Sequence, residues 1–304
     1  MFLTSCGGND NNVSTSSSAA SSGTITIDGS STVFPITEAV AEEYRSINPN
    51  TRVVVGVSGT GGGLKKFCAG DTDISNASRP IKPEEAKLCA DAGIAFTEIL
   101  VGLDGLAIVT SSSNDFLSDG ITREQLKMIF EPEAEGKITR WNQVNAAWPD
   151  SEIEIFAPDT DSGTFDFFTD EINGHEGLSR ADYTASSDDN VLVIGISGGK
   201  STIGYFGYAY YTENADRLKL LAVDGVLPND GTVSDGSYSL ARPLFIYARN
   251  SALIEKDYVQ DFIRYHLSDD TDYLISEAGY TAPSSEQRAE ARHAFEDALG
   301  GHSH

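Results

Sequence analysis

The sequence predicts an α/β fold with mainly parallel sheets, and three observations predict it. Short apolar runs alternate with segments of helical spacing along most of the chain. Three of the strand-to-helix junctions carry the same kind of turn, built from Gly with Ser or Thr. The chain has 304 residues, 39% of them hydrophobic, which is enough for a large core and favours two domains over one.

Thr24–Ile27 reads as a strand, followed by Asp28-Gly29-Ser30-Ser31-Thr32 and a helix with Pro35 in its first turn and Ile36, Val40 and Tyr44 on one face. Arg52–Val57 is a second strand. It runs into Ser58-Gly59-Thr60-Gly61-Gly62-Gly63 and then Leu64, Phe67 and Cys68 at helical spacing. Asp73–Ala77 is a third strand, ending at Ser78-Arg79-Pro80, and Pro83–Ala92 is a helix with a charged first turn. Phe96–Val101 and Gly105–Thr110 are two apolar runs interrupted by Gly102-Leu103-Asp104. Thr122–Phe130 is helical, and Arg140–Asp150, with Trp141 and Trp148, is irregular and covers a core edge.

Glu152–Ala157 is the strand that leads into Pro158-Asp159-Thr160-Asp161-Ser162-Gly163-Thr164. Phe165, Phe168 and Ile172 then mark one face of a helix. Val191–Ile196 reads as a strand, Ile203–Tyr211 as a Gly- and aromatic-rich stretch, and Leu218–Val223 and Pro243–Ala248 as further strands. Ile254, Tyr258, Val259, Phe262 and Ile263 mark an amphipathic helix, and Ser285–Leu299 is a charged terminal helix. No internal repeat has a fixed period.

The three similar turns are where chemistry is expected. A helix that starts directly after a strand leaves its first N–H groups unpaired, with the positive end of its dipole at the sheet edge. Hydroxyls beside those donors make a site for an oxyanion. Ser, Thr and Asp also simply cap helices, so one such turn carries little weight and three together carry much more.

Net charge is −25, from 46 acidic against 21 basic residues. That balance argues against nucleic acid, which needs a basic face. An anion would have to be held by local dipoles and one or two buried cations. Arg79, just after the third strand, is the cation singled out, because a guanidinium forks two N–H groups onto an oxyanion. The alternative for Arg79 is a surface ion pair with one of the many acids.

Catalytic motifs fail on inspection. Gly195-Ile196-Ser197-Gly198-Gly199 fits G-x-S-x-G after an expected strand, but Lys200-Ser201-Thr202-Ile203-Gly204 is not the helix that a nucleophile elbow requires next. Gly199-Lys200-Ser201 lacks the earlier Gly of a phosphate-binding loop, the place falling on Ile194. No Cys/His group has metal-ligand spacing, so neither metal nor cofactor is expected.

Cys6 ends Leu3-Thr4-Ser5-Cys6, which resembles the lipobox of bacterial lipoproteins, where the Cys carries lipid. The charged and apolar regions of a signal peptide are missing from the five residues before it, so they are expected upstream. Residues 7–23 read as a disordered Ser/Asn/Gly tether, and no apolar run approaches the ~18 residues of a membrane span. In an exported protein Cys68 and Cys89 would form a disulfide, whereas in a cytosolic one they would be two buried thiols.

Asp28-Gly29-Ser30-Ser31-Thr32-Val33-Phe34-Pro35, Ser58-Gly59-Thr60-Gly61-Gly62-Gly63, Ala77-Ser78-Arg79-Pro80, Thr160-Asp161-Ser162-Gly163-Thr164 and Gly204-Tyr205-Phe206-Gly207-Tyr208 stand in this order. Together they closely resemble the substrate-binding protein of bacterial phosphate ABC importers, over roughly residues 24 to 283. The resemblance implies a type II periplasmic binding protein fold, two α/β lobes joined by two crossing strands with the ligand cleft between them. The crossings would lie near Leu100–Gly105 and Ala241–Phe245, giving a first lobe of residues 24–102 and 243–304 and a second of 103–242, after a start at 1–23.

By the same resemblance, Ser31, Thr32, Val33, Thr60, Ser78, Ser162, Gly163 and Thr164 would contact phosphate. Many relatives have Asp where this chain has Ser78, and Arg where it has Pro158. Arg79 is expected to replace that cation, and Asp161 to replace the carboxylate that accepts the proton of hydrogen phosphate. The expected function is capture of inorganic phosphate outside the cytoplasm by a lipid-anchored monomer, for delivery to a membrane permease. It involves no nucleic acid and no chemistry on the ligand. A binder of sulfate, molybdate or arsenate is the first alternative, a phosphoesterase the second, and an adhesion or signalling protein on the same fold the third.

Overall fold

The computed structural model describes residues 22–300, so Cys6 and most of the tether lie outside the described residues. The first part of the chain is β1 (Gly23–Gly29), α1 (Phe34–Ile47), β2 (Thr51–Val57), α2 (Gly59–Cys68), β3 (Ile74–Ala77) and α3 (Pro83–Asp91). One long strand, β4 (Phe96–Ser111), leads out of it. There follow α4 (Arg123–Phe130), α5 (Trp141–Val144), β5 (Glu154–Pro158), α6 (Gly163–Asn173), β6 (Thr184–Ser186) and α7 (Asp189–Ser197). Next are β7 (Thr202–Gly207), α8 (Tyr208–Glu213), β8 (Leu218–Leu220) and α9 (Asp230–Ser234). Strand β9 (Ala241–Arg249) returns to the first part, which α10 (Asn250–Glu255), α11 (Asp257–His266), α12 (Asp272–Glu277) and α13 (Ser285–Gly300) complete.

The strands run in the order β2-β1-β3-β9-β4-β7-β5-β6, with β8 also on β4. The arms are parallel: β1 pairs so with β2 and β3, and β5 with β6 and β7. The centre is not. Strands β4 and β9 are antiparallel to each other; β4 is also antiparallel to β7 and β8, and β9 to β3, so the sheet is mixed rather than mainly parallel. The two apolar runs around Gly102-Leu103-Asp104 are one continuous strand. Its pairing with β9 slips in register between Leu100 and Gly102, where the strands pass from one lobe to the other.

Packing separates along the same line. One core gathers Ile25, Ile36, Val40, Ile99 and Val101 with the C-terminal helices. A small satellite joins Leu64, Phe67 and Phe245 around the disulfide Cys68–Cys89, which ties α2 to α3. The other core holds Leu103, Leu106, Phe168, Tyr205 and Leu240. The expected faces are buried: Ile36, Val40 and Tyr44 on α1, and Phe165, Phe168 and Ile172 on α6. Phe168 stacks on Tyr205 with ring centroids 3.8 Å apart, and each such ring buried contributes about 2–3 kcal/mol.

One local expectation is corrected. Residues 191–196 form part of helix α7, not a strand. Asp188 caps that helix by accepting from the Asn190 amide, and Leu192, Val193 and Ile196 face the core. The apolar run from Ile203 divides into β7 and the short helix α8.

Candidate functional site

The turns after β1, β2 and β3 sit side by side because their strands are neighbours, β2-β1-β3. Helix α2 lies hard against the end of β1. A Cβ on Gly63 would stand 2.3 Å from the Gly29 Cα, so only glycine permits this approach. Asp28 holds the junction, accepting from Ser58 Oγ and from Lys66 Nζ, the latter at 2.7 Å. Thr60 and Ser78 link the next two turns: the Ser78 amide donates to Thr60 Oγ1 at 3.2 Å, and the two hydroxyls are also 3.2 Å apart.

Neither α1 nor α2 has a side chain capping its N-terminus. Their first amides are thus not taken up by a cap, and the dipole ends face the turn cluster. In α1 the Val33 amide reaches Ser30 Oγ at 3.4 Å, the Phe34 amide donates to the Ser30 carbonyl at 3.1 Å, and Pro35 has no N–H. This terminus therefore offers fewer amide donors than α2, and more of its contribution rests on hydroxyls. In α6 Ser162 caps the helix by accepting from the Thr164 amide at 3.2 Å.

The α6 turn of the other lobe meets the β1–α1 turn directly. A Cβ on Gly163 would lie 2.4 Å from Thr32 Oγ1, so glycine here lets the two turns touch. Beside this contact opens a cleft of about 680 Å³, lined by Ser30–Thr32, Gly59–Gly61, Ser78 and Arg79 on one side. Asp166, Phe167, Asp170 and Glu176 line the other side, and Arg242 the floor. A second cavity of about 660 Å³, beside Tyr208 and Tyr280, takes its charge from Glu213 and Asp230. Both linings carry acids, but only the cleft also carries cations, Arg79, Lys82 and Arg242, and the convergent turns, so the cleft is the candidate site.

Arg79 lines the cleft but is already engaged. Its guanidinium forks onto Glu85 at 2.9 and 2.8 Å and donates to the Pro80 carbonyl at 3.1 Å. That hydrogen-bonded pairing raises the arginine pKa further and holds the Glu85 carboxyl below its ordinary range. The cation at the meeting point of the turns is instead Arg242, at the start of β9. Its Nη2 donates to Thr32 Oγ1, to the Gly163 carbonyl and to Asp104 Oδ2, each at 3.0 Å, and Nε donates to Asp104 Oδ2 at 3.1 Å. The guanidinium carbon lies 4.1 Å from the centre of the Phe167 ring. Asp104, on β4, is fully buried, and burial raises its pKa against the pull of Arg242.

Asp161 is exposed, its amide bonds to Asp159 Oδ1 at 3.1 Å, and, like Ser162, Gly163 and Thr164 after it, it is not among the residues that line the cleft. The carboxylate of this helix that does line it is Asp166, pushed up to about 6 by burial and by Glu176, with Arg242 pulling the other way. Neither Arg242 nor Asp104 is singled out by the sequence reading. The available signal is a charged residue inside each of two apolar strand runs, at Gly102-Leu103-Asp104 and Ala241-Arg242-Pro243.

The remaining motifs have structural places. Ser197 closes α7, donating to the Ile194 carbonyl at 3.1 Å, so it is not on a strand-to-helix elbow. Lys200 pairs with Asp115 at 2.6 Å. Among the described residues no group of three or more His, Cys, Asp or Glu is placed to hold a metal, and no helix is long and apolar enough to cross a membrane.

Known proteins are similar to this chain in sequence and in architecture. The PBP superfamily domain matches residues 14–270. Protein SphX of Synechococcus elongatus is 48% identical over 249 residues, 80% of this chain and 73% of that protein. The phosphate-binding protein PstS of Staphylococcus saprophyticus is 39% identical over 307 residues, 99% of this chain and 92% of that one. The crystal structure of a possible phosphate-binding protein from Planctomyces limnophilus superposes with a TM-score of 0.86 at 43% identity, covering 91% of this chain and 99% of the other.

Proposed function

This chain belongs to the PstS-like family of phosphate-binding proteins within the PBP superfamily, and from that premise we propose that it captures inorganic phosphate in the cleft and delivers it to the membrane permease of an ABC importer. It is a type II binding protein, and the two lobes, residues 24–102 with 243–304 and residues 103–242, close on the ion. It acts as a carrier outside the cytoplasm, tethered through lipid on Cys6, and leaves its ligand unchanged.

One observation carries this reading. Three strand–turn–helix junctions of one lobe and one of the other converge where Thr32 touches Gly163, with two helix N-termini free of side-chain caps. Such a place offers amide and hydroxyl donors to a tetrahedral oxyanion while closure excludes water. We assign Ser31, Thr32, Thr60, Ser78, Ser162, Gly163 and Thr164 as the donors, with Val33 contributing once its amide leaves Ser30. A protein whose net charge is −25 gains nothing from its overall field here, so local donors must carry the binding.

Ser78, which by the resemblance stands where many family members have Asp, favours one second reading, a less selective binder of tetrahedral oxyanions. Calorimetry on anion-stripped protein distinguishes the two. Phosphate and arsenate should bind and sulfate should not; equal binding of sulfate supports the second reading, and no binding of any of them refutes both. Mass spectrometry of protein from its native host should find a diacylglycerol adduct on Cys6, and an unmodified Cys6 there removes the anchor.

A further inference from the structure

We propose that Arg242 supplies the positive charge of the anion site and, held by Asp104, couples occupation of the cleft to closure of the lobes. This rests on the reading of the cleft as an oxyanion site and adds to it the residue pair at its floor.

Arg242 and Asp104 face each other in the β4–β9 pairing, beyond the register slip, on the two strands that connect the lobes. From there the guanidinium reaches the Thr32 hydroxyl of one lobe, the Gly163 carbonyl of the other and the face of Phe167. A residue on the crossing strands moves little when the lobes rotate about them, while Thr32 and Gly163 ride on the moving turns. The three groups therefore come together only in a closed arrangement. Nε and Nη2 are spent on these partners, and Nη1 has no partner among the described residues.

The bond to Thr32 also fixes a polarity. Because Thr32 Oγ1 accepts from Arg242, its own O–H is directed elsewhere and is a donor for an anion. Asp104 has 0% exposure, and its Oδ1 has no hydrogen-bond partner among the described residues. Burying a carboxylate with one oxygen unpartnered is costly even beside an arginine, and a pair of this kind is weak evidence of a purely stabilising role. Its effect is to hold Arg242 on the hinge axis, so that an entering ion meets a guanidinium already aligned.

The test compares four full-length proteins: the parent, Arg242→Lys, Asp104→Asn, and Arg242→Gln combined with Asp104→Asn. The double variant leaves no lone buried charge, so it remains a test where Arg242→Ala fails to fold. Each is stripped of anions and titrated with phosphate, arsenate, sulfate and molybdate, and small-angle scattering is recorded with and without the ion. For the best-bound ion, the double variant should lose roughly a hundredfold or more in affinity, the loss expected for a buried charged hydrogen bond. Arg242→Lys should lose an intermediate amount. Asp104→Asn should still bind but contract less on binding, because Arg242 is no longer fixed at the hinge. A folded double variant within about threefold of the parent would overturn the assignment of charge, and full contraction by Asp104→Asn would overturn the coupling. A parent that prefers sulfate refutes the phosphate reading and leaves Arg242 tested on sulfate. A parent that binds none of the four refutes both.

Discussion

Arg79 at the rim of the cleft and Arg242 at its hinge are each forked onto one carboxylate, yet they differ in burial and in what else they hold. The rim pair is local, six residues apart, with side chains 32% and 18% exposed. The hinge pair spans 138 residues, with side chains 16% and 0% exposed. Glu85 uses up both branches of Arg79, whereas Asp104 offers Arg242 a single oxygen and leaves it able to bond Thr32 and Gly163 as well. Two pairs of the same chemistry thus end in different roles: the rim pair steadies the start of α3, and the hinge pair joins the lobes.

The largest effect that can break this comparison is at the hinge. Arg242→Ala leaves the fully buried Asp104 without its only cation, which should cost about 3–5 kcal/mol in chemical denaturation. Adding Asp104→Asn should restore most of it. A single variant as stable as the parent would mean that water reaches the pair.

Reduction of Cys68–Cys89 comes next. The bond closes a separation of 21 residues and fastens α2 to α3, the frame of the rim, so reduction should cost about 3 kcal/mol. Phosphate affinity should fall less than stability, because Ser78 is the one assigned donor inside the loop, while the others and Arg242 lie outside it. Two reactive thiols in unfolded, unreduced protein would remove the bond altogether.

A buried group with no counter-charge sharpens the contrast from another side. His266 in α11 is fully buried, neither ring nitrogen has a partner among the described residues, and burial holds its pKa down at about 4. The unfolded chain takes up a proton near pH 6.5 that the fold refuses. Stability from this group is therefore full above about pH 6.5 and is lost as pH falls toward 4, on the order of 3 kcal/mol in all. His266→Phe should flatten that window in thermal melts relative to the parent. Asp166 has the opposite sign: its carboxyl, raised to about 6, holds a proton that the unfolded chain releases, so Asp166→Asn should steepen acid destabilisation.

Arg79→Ala should have the smallest effect, about 0–1 kcal/mol, since the pair is partly in water and Glu85 is resolvated when freed.

How far the sequence foretells this molecule depends on how local each signal is. The β1–α1, β2–α2 and β5–α6 junctions are legible because strand, turn glycine and helical face stand within about twenty residues of one another. Helix α7 is not, since Val191–Ile196 is a mainly apolar run whose period fits either element; only Asp188 before it marks a helix start. Strand β4 reads as two runs because Asp104 interrupts its apolar pattern, and that residue is the buried partner of Arg242 on β9. Arg79 stands out by lying next to a recognisable turn. Arg242 lies 210 residues from Thr32, and nothing near it in sequence states that β9 would carry it to the floor of the cleft. Glu85, as the capping glutamate three residues beyond Lys82, is placed to take the Arg79 guanidinium for itself, and that pairing is not legible from the turn next to which Arg79 stands.

The most direct test is the phosphate dissociation constant of Arg79→Ala set beside that of the Arg242→Gln, Asp104→Asn double variant, both stripped of anion. The hinge account predicts parental affinity in the first, within about threefold, and roughly a hundredfold loss in the second. A large loss in Arg79→Ala with parental binding in the double variant would contradict it.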